Sequence, residues 1–348
     1  MKIYRRFILP LLVSTPLYAT PFEITGTINH TIQNADKTAT KEITLLKVKL
    51  SEQAMKHLKA RAGQLSESSL KIPSSKLPER VQLGMNGVPV MDQGHHGSCV
   101  TFANTAAIDA ALGQGDYISQ LCQLQLGRYL ENNGFLYSGW KGSYGPYVLH
   151  QMTQFGIVSK ENQKKYGCGG LTDYPLDKPD PQSEMPLEEY RLVSEKLPFH
   201  EEIWYPLLPW YQSTVERTDT TKILERVKKA LKEGDRVTFG VLLLDFDLGV
   251  AGAVGKHHVA NDTWVLTPEI ARDVVFNPDF GGHEMIITGY DDSAVARDPE
   301  GRQHHGLLTI RNSWGSDYGF HGDFYMSYDY FVLLVDEAQR IRSIKSME

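Results

Sequence analysis

Met91-Asp92-Gln93-Gly94-His95-His96-Gly97-Ser98-Cys99-Val100-Thr101-Phe102 places a cysteine directly after Gly-Ser, at the mouth of an apolar-periodic segment and six residues beyond a lone glutamine. From Ser98 to Leu112 the apolar residues recur at helical spacing and Ser98 is available as N-cap. The spacing therefore predicts a helix with Cys99 in its first turn. A helix N-terminus favours negative charge, and beside an imidazolium it lowers the pKa of a thiol by several units. Such a cysteine also needs a histidine, a group that orients the histidine, and donors for the oxyanion formed when a thiolate attacks a carbonyl.

Candidates for all three are present. FGGHEMIITGYDD puts His283 at the start of an apolar strand, and LLTIRNSWG puts Asn312 at the end of another, followed by Ser313-Trp314-Gly315. The Asn312 carboxamide can accept a hydrogen bond from one ring nitrogen of His283 and fix its tautomer, while Trp314 keeps water off that bond. Gln93 offers a side-chain NH2, and the backbone N–H of Cys99 is a second oxyanion donor. Taken singly, a cysteine at a helix start or a histidine before a strand reads as core. The four in order read as a site.

Gln93-Gly94-x-x-Gly97-Ser98-Cys99, His283 ahead of a strand ending in Gly289-Tyr290, and Asn312-Ser313-Trp314-Gly315 together resemble the papain-like (C1 family) cysteine peptidases. Leu77-Pro78-Glu79-Arg80-Val81 is similar to the start of a mature domain in that family, and the resemblance spans about residues 77–330. It implies an α+β, two-subdomain fold: a helical left subdomain carrying Cys99, a β-barrel-like right subdomain carrying His283 and Asn312, and an active-site cleft between them. By the same resemblance Cys99 is the nucleophile, His283 its general base and acid, Asn312 the orienting group and Gln93 the oxyanion donor. Gly145, in GSYGPY, falls where the family has a wall that pairs with substrate backbone, and Trp314 lies beside the substrate. The implied reaction is peptide hydrolysis without a cofactor.

The chain also departs from that pattern. His96 stands where the family has a cysteine, so the usual bridge is absent, and Val100 replaces a common aromatic. His283 follows Cys99 by 184 residues and Asn312 follows it by 213, against ~130–150 in the enzymes that share this box. Insertions are expected in the Pro-rich stretch from about Leu171 to Trp210, in GVAGAVGKHHVAND and in DDSAVARDPEGRQHHG, bordering the cleft.

Length and composition agree with a globular enzyme. The 348 residues are 41% hydrophobic and 22% charged, and the net charge of −6 is interspersed, with no basic stripe for nucleic acid. Residues 1–19 combine Lys2, Arg5 and Arg6 with a short apolar run ending at Ala19, which reads as an export signal and not a membrane span. The expected location is secreted, extracellular or periplasmic. Of three cysteines, Cys122 and Cys168 can form a bridge across 46 residues, leaving Cys99 as the odd thiol. Adjacent histidines at 95–96, 257–258 and 304–305 point apart and match no zinc spacing, so no metal is expected.

Residues 20–76 read as a separate small module. Phe22–Thr31 and Glu42–Leu50 alternate as a hairpin, Ser51 caps a helix that Gly63 would end, and QLSESSLKIPSSKLPER follows as a linker easily cut. This fits a propeptide that inhibits the body at 77–348, whose elements turn from helices (Tyr147–Phe155, Leu187–Lys196, Thr221–Lys232) to strands (RVTFGVLLL, Glu284–Tyr290, Leu307–Asn312, Asp323–Tyr328). The alternatives to a peptidase zymogen are a catalytically silent binding protein of the same fold and an acyl transferase, transglutaminase-like, using the same triad.

Overall fold

The alternation around the polar stretch at 34–39 gives a hairpin, in which β1 (Phe22–Gln33) and β2 (Thr40–Leu50) pair antiparallel from Phe22↔Leu50 to Gln33↔Thr40. This is a computed structural model, and it describes residues 22–34, 36–67, 76–135, 138–199, 202–209, 219–244, 262–276 and 280–344. The expected export signal, residues 68–75 of the linker, the 257–258 histidine pair and the core of the insertion around it lie outside the described residues.

Ser51 starts α1 (Glu52–Glu67), its Oγ accepting the Ala54 N–H at 3.2 Å. The helix runs through Gly63, where the sequence suggested a stop. A helical glycine costs ~1 kcal/mol relative to alanine, which the buried face of Ala54, Leu58 and Ala62 offsets.

After β3 (Arg80–Gln82) comes the helical part: α2 (Cys99–Leu112), α3 (Gln120–Asn132), the short pair β4 (Ser138–Gly139) and β5 (Gly142–Ser143), α4 (Gly145–Phe155), α5 (Lys160–Tyr166) and α6 (Leu187–Val193). Every residue of α2 is buried, so it is the central helix, closed by Gly113 in the left-handed region. Cys122 of α3 is disulfide-bonded to Cys168, with Cα atoms 5.0 Å apart, and Cys99 is the free cysteine.

The second part holds β6 (Trp204–Leu208), α7 (Thr220–Lys232), β7 (Arg236–Leu243), β8 (Thr263–Trp264), α8 (Pro268–Phe276), β9 (Phe280–Arg297), β10 (Gln303–Arg311), β11 (Asp323–Ser327), α9 (Tyr328–Leu334) and β12 (Val335–Ile341). The strands run in the order β6-β12-β7-β9-β10-β11-β8, antiparallel except between β11 and β8. This is an α+β fold with Cys99 on the helical side and His283 and Asn312 on the sheet side.

The hairpin packs directly onto the body. Leu46, Lys47 and Val48 of β2 pair with Gly282, Gly281 and Phe280 of β9, on the edge opposite β7. Farther along that edge, β10 takes over from Ile286. His283 thus stands in the notch between β2 and β10. Ile43, Leu45, Leu46 and Val48 join the same apolar core as α2 and the sheet, and burying each such side chain contributes ~1.5–3 kcal/mol.

Candidate active site

Cys99 is the first residue of α2 and fully buried. Burial pushes its thiol up to about 12, against the backbone N–H groups of Glu284, Val100 and Cys99, which favour the thiolate. The Glu284 contact brings the thiol against β9 immediately beside His283. Ser98 does not cap α2 with its side chain; its Oγ lies 3.0 Å from the Tyr174 hydroxyl.

His283 Nε2 lies 2.8 Å from Asn312 Oδ1, which also accepts the Ser313 N–H at 2.7 Å. An amide oxygen only accepts, so Nε2 carries the proton and Nδ1 is the basic nitrogen. Nδ1 is buried with no hydrogen-bond partner among the described residues. The Trp314 ring stacks on the imidazole, centroids 4.7 Å apart at 23°. Burial lowers the imidazole to about 4, outweighing the Asn312 bond. In this state the site therefore holds a neutral thiol and a neutral imidazole.

Gln93 is fully buried. Its Oε1 accepts from Ser313 Oγ at 2.7 Å, its Nε2 donates to the His96 carbonyl at 2.8 Å, and its backbone N–H donates to the Ser313 carbonyl at 2.9 Å. One amide hydrogen remains uncommitted. With Gly315 N–H on the Met91 carbonyl at 2.9 Å, Gln93 and Asn312 share one rigid frame.

Gly145 is not on an open wall. It begins α4, is buried, and donates its N–H to Glu337 Oε1 at 2.8 Å. The glycine that meets the hairpin is Gly142, at φ +114°, where an added Cβ would fall 2.7 Å from Leu46 Cδ2. Sequence spacing missed it because the position is set by the turn between β4 and β5.

The hairpin crosses these residues. Lys41 pairs with Asp92 and donates to the Trp314 carbonyl at 3.1 Å, and Thr44 Oγ1 donates to the His95 carbonyl at 2.7 Å. Leu46 then lies against Gly97, Gly142 and Gly282. Behind the site Glu284, Asp336 and Glu337 are all buried. Burial raises all three, and the mutual repulsion of the group adds to the rise at Glu284 and Asp336. Asn104 Nδ2 donates to Glu284 Oε1 at 2.6 Å. None of these partners is signalled by local sequence. Among the described residues no group of three or more His, Cys, Asp or Glu is arranged to hold a metal, and no helix is long and apolar enough to cross a membrane.

A cysteine heading a central helix, facing an Asn-oriented histidine on a sheet, is the layout of the papain-like cysteine peptidases. No family model matches the sequence, and no curated protein matches it. Solved structures of similar fold include xylellain, a cysteine protease from Xylella fastidiosa, at 20% identity over 79% of this chain and 91% of that one, TM-score 0.45. Another is digestive procathepsin L 3 of Tenebrio molitor larval midgut, at 16% identity over 83% and 79%, TM-score 0.48. A third is the ragweed pollen cysteine protease Amb a 11 in its proform, at 16% identity over 81% and 73%, TM-score 0.43. The chemistry rests on this chain's own atoms.

Proposed function

We propose that the chain is an exported cysteine peptidase made as a zymogen, with residues 20–76 as its pro-segment. The observation that carries the reading is the 2.8 Å bond from His283 to Asn312, which leaves Nδ1 as the basic nitrogen, on the strand that the first-turn thiol of α2 meets at Glu284. Once uncovered, Cys99 passes its proton to His283 and attacks the scissile carbonyl. The free amide hydrogen of Gln93 and the Cys99 N–H hold the oxyanion. The imidazolium then protonates the leaving amine, and water, deprotonated by His283, hydrolyses the thioester. Lys41, Thr44 and Leu46, lying across Trp314, His95 and Gly142, support the role of the hairpin as the inhibitor. The Cys122–Cys168 bridge and the apolar leader support export.

The test is to express the full chain, remove the N-terminal segment in situ by limited proteolysis, and measure peptide products by mass, with Cys99→Ala as control. Cleavage that adds water, requires Cys99 and appears only after processing is the expected result. Products carrying an added amine in place of water would make it a transferase, and no turnover at all would make it a binding protein.

A further inference from the structure

His96 fills the position left without its bridge, and its surroundings are specific. The ring is 1% exposed. Nδ1 lies 2.6 Å from Asp180 Oδ1 and Nε2 lies 2.8 Å from the Pro175 carbonyl. A carboxylate and a carbonyl both accept, so satisfying both requires a proton on each ring nitrogen, which is the imidazolium. The rings of Trp140 and Tyr174 pack edgewise around it, with centroids at 4.9 and 5.4 Å. Asp180 pairs with the ring, and Tyr174, packed against it, in turn feels Asp180, Asp92 from the loop before α2 and the Cys99 thiol.

The same 174–180 segment grips the Gln93 loop elsewhere. Tyr174 donates its hydroxyl to the Gln93 carbonyl at 2.8 Å and meets Ser98 Oγ at 3.0 Å. At Gly94, φ +62°, the Leu176 carbonyl oxygen sits where a Cβ would be 2.2 Å away. The His96 carbonyl, in turn, holds Gln93 Nε2. The segment read from sequence as a surface insertion is thus a strap over the oxyanion loop, and His96 is its charged rivet.

We propose that His96, held as an imidazolium between Asp180 and the Pro175 carbonyl, is a positioning residue that sets the Gln93 carboxamide in place of a covalent bridge. The effect on catalysis rests on the peptidase reading; the proton count on the ring does not. Unlike a disulfide the clamp needs no reductant to open. Losing one ring proton turns an N–H···O bond into a lone pair facing an oxygen, which frees the strap and lets Gln93 move.

The experiment uses the full-length chain labelled with 15N at histidine and glutamine side chains, with H96Q and Gln93→Ala assigning the signals. Because both ring nitrogens face acceptors, His96 is expected to show two protonated ring nitrogens. Gln93 is expected to show a slowly exchanging side-chain NH2. Asp180 is about a quarter exposed, with 28% of its side chain accessible, and D180N keeps its volume; the far-ultraviolet circular dichroism and urea midpoint of D180N check that it folds. In D180N one ring nitrogen is expected to lose its proton and the Gln93 NH2 to shift and exchange faster. After processing, kcat is expected to fall about 10-fold, less than the loss of a donor outright, with KM little changed. A neutral His96 ring in the wild-type chain, or a D180N chain whose Gln93 signals do not move, overturns the proposal. If the wild-type chain cleaves no peptide, the peptidase reading fails while the nitrogen signals still decide the state of His96.

Discussion

Gln93 has two amide hydrogens, and the His96 carbonyl takes one of them. The other is the only side-chain donor that the described Gln93 frame leaves for an oxyanion, so Gln93→Ala is expected to lower kcat by ~10²–10³ with little change in KM. Steady-state kinetics on the processed chain checks this, and an equal loss in KM alone would point to substrate binding instead. Cys99 and His283 are both held neutral by burial, the thiol up to about 12 and the imidazole down to about 4. Burial disfavours each charged form, so hydrating the site moves the thiol down and the imidazole up, toward the ion pair. The rate of Cys99 alkylation against pH is therefore expected to climb only toward strongly alkaline pH in the full-length chain, and to level off several units lower after processing. That Gln93, Cys99, His283 and Asn312 belong together was legible in the sequence because each sits in a local motif. The burial of Gly145 against Glu337 was not legible, because spacing carries no information on which long-range partner a glycine meets.

At the scale of elements, β2 is the strand that, on the zymogen reading, closes the site. Alternation in Glu42–Leu50 was enough to predict a strand, but alternation says nothing about which edge a strand will join. Its pairing with β9 depends on Gly281 and Gly282, which leave room for Leu45, Leu46 and Val48. Leu46→Ala removes a buried side chain from that contact at a cost of ~2–5 kcal/mol. The expected outcome is peptidase activity without processing, or a pro-segment that inhibits in trans at least ~30-fold more weakly, taking the lower bound at ~1.4 kcal/mol per tenfold. Unchanged inhibition constants would place the block elsewhere, at Lys41 or Thr44. The Cys122–Cys168 link closes 46 residues of the helical part, for which loop-closure entropy gives about 4 kcal/mol. Cys122→Ser with Cys168→Ser is expected to lower Tm markedly while leaving Cys99 labelling of the folded protein intact. The helix ends were read less well: Gly63 lies within α1 because a packed apolar face outweighs one unfavourable residue.

Across the whole molecule, buried carboxyl groups set how stability follows pH. Burial raises Asp109 to about 7, despite the Tyr117 and Ile118 N–H groups it accepts, and raises Asp262 to about 6. Glu284, Asp336 and Glu337 move in the same direction for the same first cause. A carboxyl that is harder to ionise when folded binds its proton more tightly in the native chain than in the unfolded one. Its stabilisation is complete below the ordinary carboxylate value near ~4 and is lost as pH rises through the folded value. For Asp109 and Asp262 that window ends at about 6 to 7. His283, lowered to about 4, opposes this by gaining stability as pH rises from about 4 toward ~6.5. It is one group against five, and each pKa unit is worth ~1.4 kcal/mol. The full-length chain is therefore expected to unfold at a higher urea concentration at pH ~5 than at pH ~8, with an unchanged slope. Asp109→Asn is expected to flatten part of the difference, because the amide keeps the volume and has no proton to lose. A midpoint that rises between these two pH values would mean that the carboxyl cluster is ionised in the folded chain and held by a cation or by water, and that the interior behind Cys99 is wetter than its packing implies.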